Sequence, residues 1–261
     1  EPEHIPWQKH KVDIVIESTG VFTDRASASK HLSSGAKKVI ISAPGKDVDG
    51  TFVMGINEKD YDPSKHHVIA NASCTTNCLA PMVYLLNQAF GIKHAHMSTV
   101  HSYTSDQNLL DNSHPKDLRR ARAAPDNIVP TTTGAAIATT EVIPELKDKI
   151  DGISFRVPTS TVSIIYLVAE LEKQTTIEQI NSVFETAAKK QMQKYLAICN
   201  EPLVSSDFKG DTHSCIIDAL STNVVDGNLA SIVAWYDNEW GYTQRLVDLA
   251  EYVGDKLGIR N

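Results

Sequence analysis

Residues 72–81 read Ala-Ser-Cys-Thr-Thr-Asn-Cys-Leu-Ala-Pro, and this stretch decides how the chain folds. A β-branched run at 67–70 predicts a strand before it, and an apolar run at 79–90 predicts a helix after it. Cys74 therefore lies where a strand turns into a helix, and there backbone N–H groups and the positive helix end favour a thiolate. Because thiolate is the nucleophilic form of cysteine, Cys74 is either a reactive residue or one of the common buried structural cysteines. Its polar neighbours favour a site.

The composition limits the classes of protein that the chain can be. The chain has 261 residues, of which 41% are apolar, and a formal charge of -7, so an ordinary core fits one large domain or two. The negative charge argues against nucleic acid and membrane surfaces as partners. Four cysteines without CxxC spacing predict neither a disulfide framework nor a zinc site. With no signal-peptide pattern and no apolar run of membrane-spanning length, we expect a cytoplasmic protein with reduced thiols.

The first part of the chain has the pattern of a parallel α/β sheet. Strand-like runs at 12–17 and 38–42 flank a helix-like run at 25–34, which is the spacing of a βαβ unit. Runs at 51–55 and 67–70 predict two further strands. In such sheets, small and polar residues after the carboxyl ends of the strands bind ligands.

Beyond residue 90, strands and helices segregate, which predicts an α+β domain with a largely antiparallel sheet. We expect a capping box formed by Thr175 and Glu178 at the start of an amphipathic helix. Residues 102–130 form a polar, basic segment without periodicity, and loops of this length are usually functional or disordered. The other predicted elements are strands at 96–100, 152–157, 161–171, 214–219 and 229–236, and helices at 134–143 and 242–257.

Six motifs occur in order along the chain: SCTTNCLAP at 73–81, STVHSYTSDQ at 98–107, LRRARAA at 118–124, PTTTGAA at 130–136, FRVP at 155–158 and WYDNEWGY at 235–242. Through these motifs the chain resembles phosphorylating glyceraldehyde-3-phosphate dehydrogenase over essentially its whole length. The resemblance implies oxidative phosphorylation of D-glyceraldehyde 3-phosphate to 1,3-bisphosphoglycerate with reduction of NAD, a step of glycolysis. It also implies a homotetramer.

The resemblance assigns the catalytic pair to Cys74 and His101. Cys74 would attack the aldehyde to give a thiohemiacetal, and hydride loss would leave a thioester that inorganic phosphate cleaves. His101 would hold the thiolate as an ion pair and take the hydroxyl proton. On the residues alone, a single His is more often structural.

Anion and cofactor sites follow from the same family pattern. Guanidinium and hydroxyl groups suit phosphate geometry. The substrate phosphate is assigned to Thr104 and Arg156, and inorganic phosphate to Ser73, Thr75, Thr133 and Gly134, with Arg119 close to both. Arg120 and Arg122 are interpreted as solvated or subunit-facing. The dinucleotide is assigned to Ser18, Thr19, Gly20 and Ser42, with Asn238 on the nicotinamide amide and Tyr242 near the ring or simply on the apolar face of the last helix.

Cys78 is interpreted as a packing residue, because sulfurs four residues apart on a helix rarely reach disulfide geometry. A metal is not expected, since strand alternation puts His94 and His96 on one face and His101 on the other. The cofactor choice stays open between NAD and NADP, because Asn112 and Ser113 stand where NAD-specific members often have Leu-Pro.

The domain prediction follows the resemblance but departs from it at the start of the chain. No Gly-rich pyrophosphate turn precedes Val12. Residues 1–73 are therefore predicted to be the C-terminal part of the NAD-binding domain, 74–238 the catalytic domain, and 239–261 a helix that packs back on the first. With an incomplete pyrophosphate site, we expect weak dinucleotide binding and little turnover from this chain.

Three other interpretations compete with this one. Erythrose-4-phosphate dehydrogenase shares the Cys and His, although the Arg and Thr set here is more similar to the glyceraldehyde enzyme. A Cys/His hydrolase would need none of Asn238, Arg119 or Arg156, nor a parallel nucleotide-type sheet. A non-catalytic chain that acts only by association is the third.

Overall fold

The computed structural model describes residues 1–115 and 117–259. The chain divides into two compact units, Cys74–Tyr242 and a second made of Glu1–Ser73 with the chain from Thr243 onward. The predicted boundary at 238 lies four residues earlier than the structural one. The reason is local: Asp237 Oδ1 accepts hydrogen bonds from the backbone N–H groups of Glu239 and Trp240, both at 3.0 Å, so the start of the last helix is held by the larger unit.

The unit that begins at Glu1 holds a sheet and short helices. Its elements are helix α1 (Trp7–His10), strand β1 (Ile14–Glu17), helices α2 (Arg25–Ala28) and α3 (Lys30–Ser33), and strands β2 (Lys38–Ile41), β3 (Gly50–Thr51) and β4 (Val68–Ala70). All pairings among these described strands are parallel, in the order β1-β2-β4-β3. Every residue of β2 is buried, as is typical of a parallel strand with both faces covered.

Two predictions for this unit need correction. The helix predicted at 25–34 is two short helices that meet at Ser29, whose hydroxyl donates to the Ala26 carbonyl and so competes with the helical ladder. The strand predicted at 51–55 ends at Thr51, because the Asn57 side chain accepts from Val53 N–H and donates to the Thr51 carbonyl, which closes a turn.

The larger unit is built on a mixed sheet. Its elements are helix α4 (Cys74–Phe90), strands β5 (Ile92–Ser102) and β6 (Val129–Thr132), helix α5 (Ala135–Val142), strands β7 (Ile150–Val157) and β8 (Ser163–Leu171), helix α6 (Ile177–Ala188), strands β9 (Leu196–Cys199), β10 (Cys215–Val225) and β11 (Leu229–Tyr236), and helix α7 (Trp240–Lys256), which continues into the other unit. The described strands form one seven-stranded sheet, in the order β6-β7-β5-β8-β11-β10-β9.

The predicted fold class is confirmed by these two sheets. In the described part of the mixed sheet, only β5–β7 and β9–β10 pair in parallel, and the remaining pairs are antiparallel. Helices α4, α5 and α6 pack against this sheet. No described helix is both long and apolar enough to cross a membrane.

Helix α4 begins at Cys74, five residues before the predicted start at 79. The polar residues Thr75, Thr76 and Asn77 are its first turn and are buried, although polarity alone predicts a loop. The capping box of α6 is also shifted by one residue. Thr176 accepts from Gln179 N–H and the Gln179 side chain accepts from Thr176 N–H, so Thr175 and Glu178 do not form it.

Strand β5 carries the histidines in the predicted alternation. His94 and His96 are exposed and His101 is 3% exposed. Among the described residues no group of three or more His, Cys, Asp or Glu side chains could hold a metal ion. His101 pairs in register with Arg156 of β7, which brings two predicted site residues side by side.

The β5–β7 pairing depends on a glycine, and Gly152→Ala tests this. A Cβ at Gly152 would lie 2.7 Å from the Met97 carbonyl oxygen on β5, so the strands must separate. We expect a loss of about 1–3 kcal/mol in the free energy of unfolding, measured by urea titration.

Gly254→Ala is the matched control, because a Cβ there lies 3.8 Å from its nearest neighbour and sits within helix α7. It should stabilise the protein by about 0.5–1 kcal/mol. Equal changes in the two variants would contradict the packing argument.

Candidate active site

Cys74 and His101 form the centre of the candidate site. Cys74 is the first residue of α4, and its Sγ lies 3.4 Å from His101 Nε2 near the end of β5. His101 Nδ1 lies 2.7 Å from the Ser102 carbonyl, which can only accept, so this contact favours a proton on Nδ1, although the donor Arg156 Nη1 lies equally close to that nitrogen. This tautomer leaves Nε2 as the nitrogen that accepts the thiol proton.

Arg156 lies on the other side of the imidazole. Its Nη1 is 2.7 Å from His101 Nδ1, donates to the Ser102 carbonyl at 3.0 Å, and reaches Thr104 Oγ1 at 3.5 Å. The structure therefore brings together Cys74, His101, Thr104 and Arg156. It does so because β5 and β7 pair in register up to their last residues.

Burial is the largest cause of the pKa shifts of Cys74 and His101. Burial raises the pKa of the Cys74 thiol, against opposing contributions from Thr75 and the Arg156 cation. Burial, followed by repulsion from Arg156, lowers the pKa of His101 to about 4. At neutral pH the pair is thus a thiol and a neutral imidazole. Both shifts favour the uncharged forms over the predicted thiolate–imidazolium pair, because withdrawal from water disfavours each charge.

Tyr236 contacts His101 and Thr75, and it is not among the site residues predicted from the sequence. Its hydroxyl lies 3.0 Å from Thr75 Oγ1 and 2.9 Å from Thr99 Oγ1, and its ring packs edge-on to His101 at 5.9 Å. The hydroxyl of Thr75, a predicted phosphate ligand, therefore points toward Tyr236. The alternation of β11 marks Tyr236 as inward-facing, but its partners depend on sheet order.

Two adjacent arginines take different positions. Arg120 is half-buried: its Nε donates to Thr131 Oγ1 at 2.8 Å, and its guanidinium pairs with Asp106 and Asp117. Its charge also contributes, after burial, to lowering the pKa of Arg156. Arg119, the predicted anion ligand, is exposed. Sequence reasoning missed Arg120, because neighbouring identical residues give no signal of which one turns inward.

A cavity of about 960 Å³ lies beside these arginines, and Thr133 also lines it. Thr133 Oγ1 accepts from Ala135 N–H at 3.2 Å, and Gly134 is the N-cap residue of α5. Ser73 is half-buried and immediately precedes α4. The arginine and threonine side chains around this cavity suit an oxyanion, and the carboxylates of Asp106, Asp117 and Asp151 line it as well.

Asn238 is held in one amide orientation. Its Oδ1 accepts from Ser102 Oγ at 3.0 Å and from Ser163 Oγ at 2.9 Å, and Ser163 Oγ in turn accepts from Ser102 N–H. With the oxygen occupied, the Nδ2 group is the part of this amide that can donate to a ligand. Tyr242 is half-buried in the first turn of α7.

The predicted cofactor residues of the other unit lie together. Glu17 pairs with Ile41, so Ser18, Thr19 and Gly20 after β1 and Ser42 after β2 lie at the same carboxyl edge of the parallel sheet. Gly20 has a φ of 74°, which favours glycine at this turn. The Thr19 hydroxyl donates to Glu17 and accepts from Val21 N–H, so both its functions are in use.

A half-buried thiol against a buried imidazole, with an arginine beside them on an α+β unit of a chain that also holds a parallel α/β sheet, has the form of a cysteine-dependent enzyme that handles an anionic substrate. The family model described as "Glyceraldehyde 3-phosphate dehydrogenase, C-terminal domain" matches residues 73–238.

Curated relatives agree with this match. The glyceraldehyde-3-phosphate dehydrogenase of Geobacillus stearothermophilus is 57% identical over 98% of this chain and 76% of its own length. Glyceraldehyde-3-phosphate dehydrogenase 2 of Streptomyces avermitilis is 56% identical and glyceraldehyde-3-phosphate dehydrogenase 1 of Bacillus subtilis is 55% identical, with the same coverage. The chain belongs to the glyceraldehyde-3-phosphate dehydrogenase family, as the motifs predicted.

Membership implies a nicotinamide cofactor. The Asn238 amide fits this group, because its free Nδ2 matches the carboxamide oxygen of a nicotinamide. The cysteine hydrolase and the erythrose-4-phosphate enzyme find no support among the matches described above.

After burial, the charge of Arg156 contributes to the pKa shifts of Cys74 and His101, and Arg156→Gln tests this contribution. Without the cation the thiolate is less stabilised and the imidazolium is less repelled, so the pKa of Cys74 and the pKa of His101 should both rise. Alkylation by iodoacetamide, which follows the thiolate fraction, should be slower at pH 8, and the His101 NMR titration should move up from about 4.

Arg156→Lys retains the charge and is the control. It should stay closer to the parent protein in both measurements. Unchanged alkylation and an unchanged His101 titration in Arg156→Gln would show that burial alone sets the two pKa values.

Proposed function

We propose that this protein oxidises and phosphorylates D-glyceraldehyde 3-phosphate to 1,3-bisphosphoglycerate in glycolysis, with NAD as the cofactor. The observation that carries the proposal is the 3.4 Å approach of Cys74 Sγ to His101 Nε2, with Arg156 beside the imidazole. A nucleophile, a proton acceptor and an anion-holding cation at one point are the groups that this reaction requires.

The first step is addition of the thiol to the aldehyde. His101 Nε2 takes the Cys74 proton as Sγ bonds to the carbonyl carbon, and the proton returns to the new alkoxide to give a thiohemiacetal. The neutral imidazole suits this step, since an already protonated ring could not accept the proton. The Ser102 carbonyl holds His101 Nδ1–H and so keeps the ring in the accepting tautomer.

In the second step His101 Nε2 takes the hydroxyl proton of the thiohemiacetal while a hydride leaves its carbon. A bound nicotinamide dinucleotide supplies the hydride acceptor for this step. The product is a thioester on Cys74. Inorganic phosphate then attacks the thioester carbonyl, the C–S bond breaks, and Cys74 leaves as thiolate and regains a proton from the protonated His101 Nε2, which returns both groups to their starting forms.

Two anions are held by the residues around this pair. Arg156 with Thr104 is the proposed position of the substrate phosphate, supported by the contact between these side chains. Thr133, Gly134, Ser73 and Thr75 are proposed for inorganic phosphate. Of the two neighbouring arginines, the half-buried Arg120 is better placed than the exposed Arg119 to act with Arg156.

Cofactor preference, assembly and location complete the proposal. NAD is the first choice over NADP, and the ratio of kcat/KM with the two cofactors tests it.

A homotetramer is supported by three apolar side chains of the 102–130 segment, Leu109, Leu110 and Leu118, which are 68–84% exposed. Sedimentation at equilibrium tests the assembly, and the proposed location is the cytoplasm.

Cys74→Ser tests the nucleophile. We expect phosphate-dependent NADH formation from glyceraldehyde 3-phosphate to be lost, because a serine hydroxyl is a much weaker nucleophile than a thiol or thiolate at neutral pH. Absorbance at the NADH band gives the rate, and circular dichroism checks that the fold is intact.

Cys199→Ser is the matched control, since Cys199 lies on β9 and its thiol donates to the Glu201 carbonyl. It should retain turnover. Turnover by Cys74→Ser would remove Cys74 from the mechanism, and NADH formation that ignores phosphate would point away from a phosphorylating enzyme. Erythrose 4-phosphate should give a lower kcat/KM.

A further inference from the structure

A buried carboxylate ends the first strand of the parallel sheet. Glu17 is the last residue of β1 and is 4% exposed. Both of its oxygens are engaged by side chains or backbone of the same unit. An ionised group so far from water is stable only when it is fully hydrogen-bonded.

One oxygen of the Glu17 carboxylate is hydrogen-bonded to His31, which is in turn hydrogen-bonded to Trp7. Trp7 Nε1–H donates to His31 Nδ1 at 3.0 Å, and His31 Nε2 contacts Glu17 Oε2 at 2.8 Å. Because the indole can only donate, His31 Nδ1 must be the accepting nitrogen, and Nε2 must carry the proton that is given to Glu17. Trp7 thus sets the tautomer of His31, which is itself 3% exposed.

The other oxygen holds a turn. Glu17 Oε1 accepts from the backbone N–H of Thr19 at 2.8 Å and from the Thr19 hydroxyl. Thr19 Oγ1 also accepts from Val21 N–H at 3.2 Å, and Gly20 between them has a φ of 74°. The conformation of residues 18–20 therefore depends on the position and charge of one carboxylate.

We propose that Glu17 is a positioning residue for dinucleotide binding, and that Trp7 and His31 are the relay that orients it. The inference rests on the proposed function, in which the turn at 18–20 lies along the cofactor. Glu17 does not touch the ligand; it raises the fraction of molecules whose turn is already in the binding conformation. When fewer molecules have the turn in this conformation, the apparent Kd for the dinucleotide rises in proportion, while the contacts in the bound complex stay the same.

Glu17→Gln breaks the relay with almost no change in shape. A neutral amide must present its N–H₂ either to the His31 Nε2–H or to the Thr19 N–H, and donor faces donor in both cases. We expect the Kd for NAD, measured by calorimetry on this 261-residue chain, to rise about tenfold, the effect of one charged hydrogen bond. The KM for NAD should rise with it, while kcat at saturating NAD stays within about twofold.

Trp7→Phe provides a rescue that a purely structural role does not predict. It removes the donor that fixes the tautomer, so His31 is free to carry its proton on Nδ1 and to accept from the amide of Glu17→Gln through Nε2. The double variant should therefore bind NAD more tightly than Glu17→Gln alone. Nitrogen-15 NMR of His31 should show the Nε2–H tautomer in the parent protein and the Nδ1–H tautomer in the double variant.

Lys38→Met is the matched control in the same unit. Lys38 is 2% exposed and its ammonium donates to the Pro63 and His66 carbonyls, away from the turn. It should lower the free energy of unfolding without changing the Kd for NAD beyond about twofold, the scatter expected of an unrelated core change.

Two results would overturn the inference. One is an unchanged Kd in Glu17→Gln while the parent protein binds NAD, and the other is a Trp7→Phe change that adds to the loss instead of relieving it. If the parent chain itself fails to bind NAD, which would agree with the weak dinucleotide binding expected from its sequence, the proposed use of NAD by this chain fails instead, and the His31 tautomers still report whether the relay exists.

Discussion

The site depends on one buried imidazole at the end of a strand pair, which a half-buried thiol and a half-buried guanidinium both contact. The parallel register of β5 and β7 puts His101 beside Arg156, and the first turn of α4 brings Cys74 to the imidazole. Burial makes the charged forms of the thiol and the imidazole unfavourable. The nearby Arg156 cation favours the thiolate and disfavours the imidazolium. The same packing that stabilises the unit therefore favours an uncharged thiol and an uncharged imidazole, between which a proton can be transferred.

Much of the fold could be predicted because apolar runs have a clear physical meaning. The fully buried β2 and the alternating β8 and β11 were recognisable from residue pattern, and their predicted positions differ from the structure by two residues or fewer. Strand β9 escaped prediction, since three of its four residues are only half-buried and carry little periodic signal. The start of α4 was missed for a related reason: its polar first turn is buried by tertiary contacts that no local pattern encodes.

The candidate site was predictable in its residue types and less so in its geometry. Ordered motifs identify Cys74 and His101, but they do not reveal that Thr75 turns its hydroxyl to Tyr236 or that Arg120 packs while Arg119 is exposed. Partners of this kind depend on which strands are neighbours in the sheet. Protonation is harder still, because it depends on how much water the finished fold excludes.

Ser102 connects three functions through three different atoms. Its carbonyl accepts from His101 and Arg156, its N–H donates to Ser163, and its hydroxyl donates to Asn238. Hydrogen bonds to this one residue therefore tie the His101 imidazole and the Arg156 guanidinium to the strand end, and they hold the Asn238 amide there as well. Cys74 belongs to helix α4, so any displacement of the strand end relative to that helix changes the 3.4 Å distance between Cys74 Sγ and His101 Nε2.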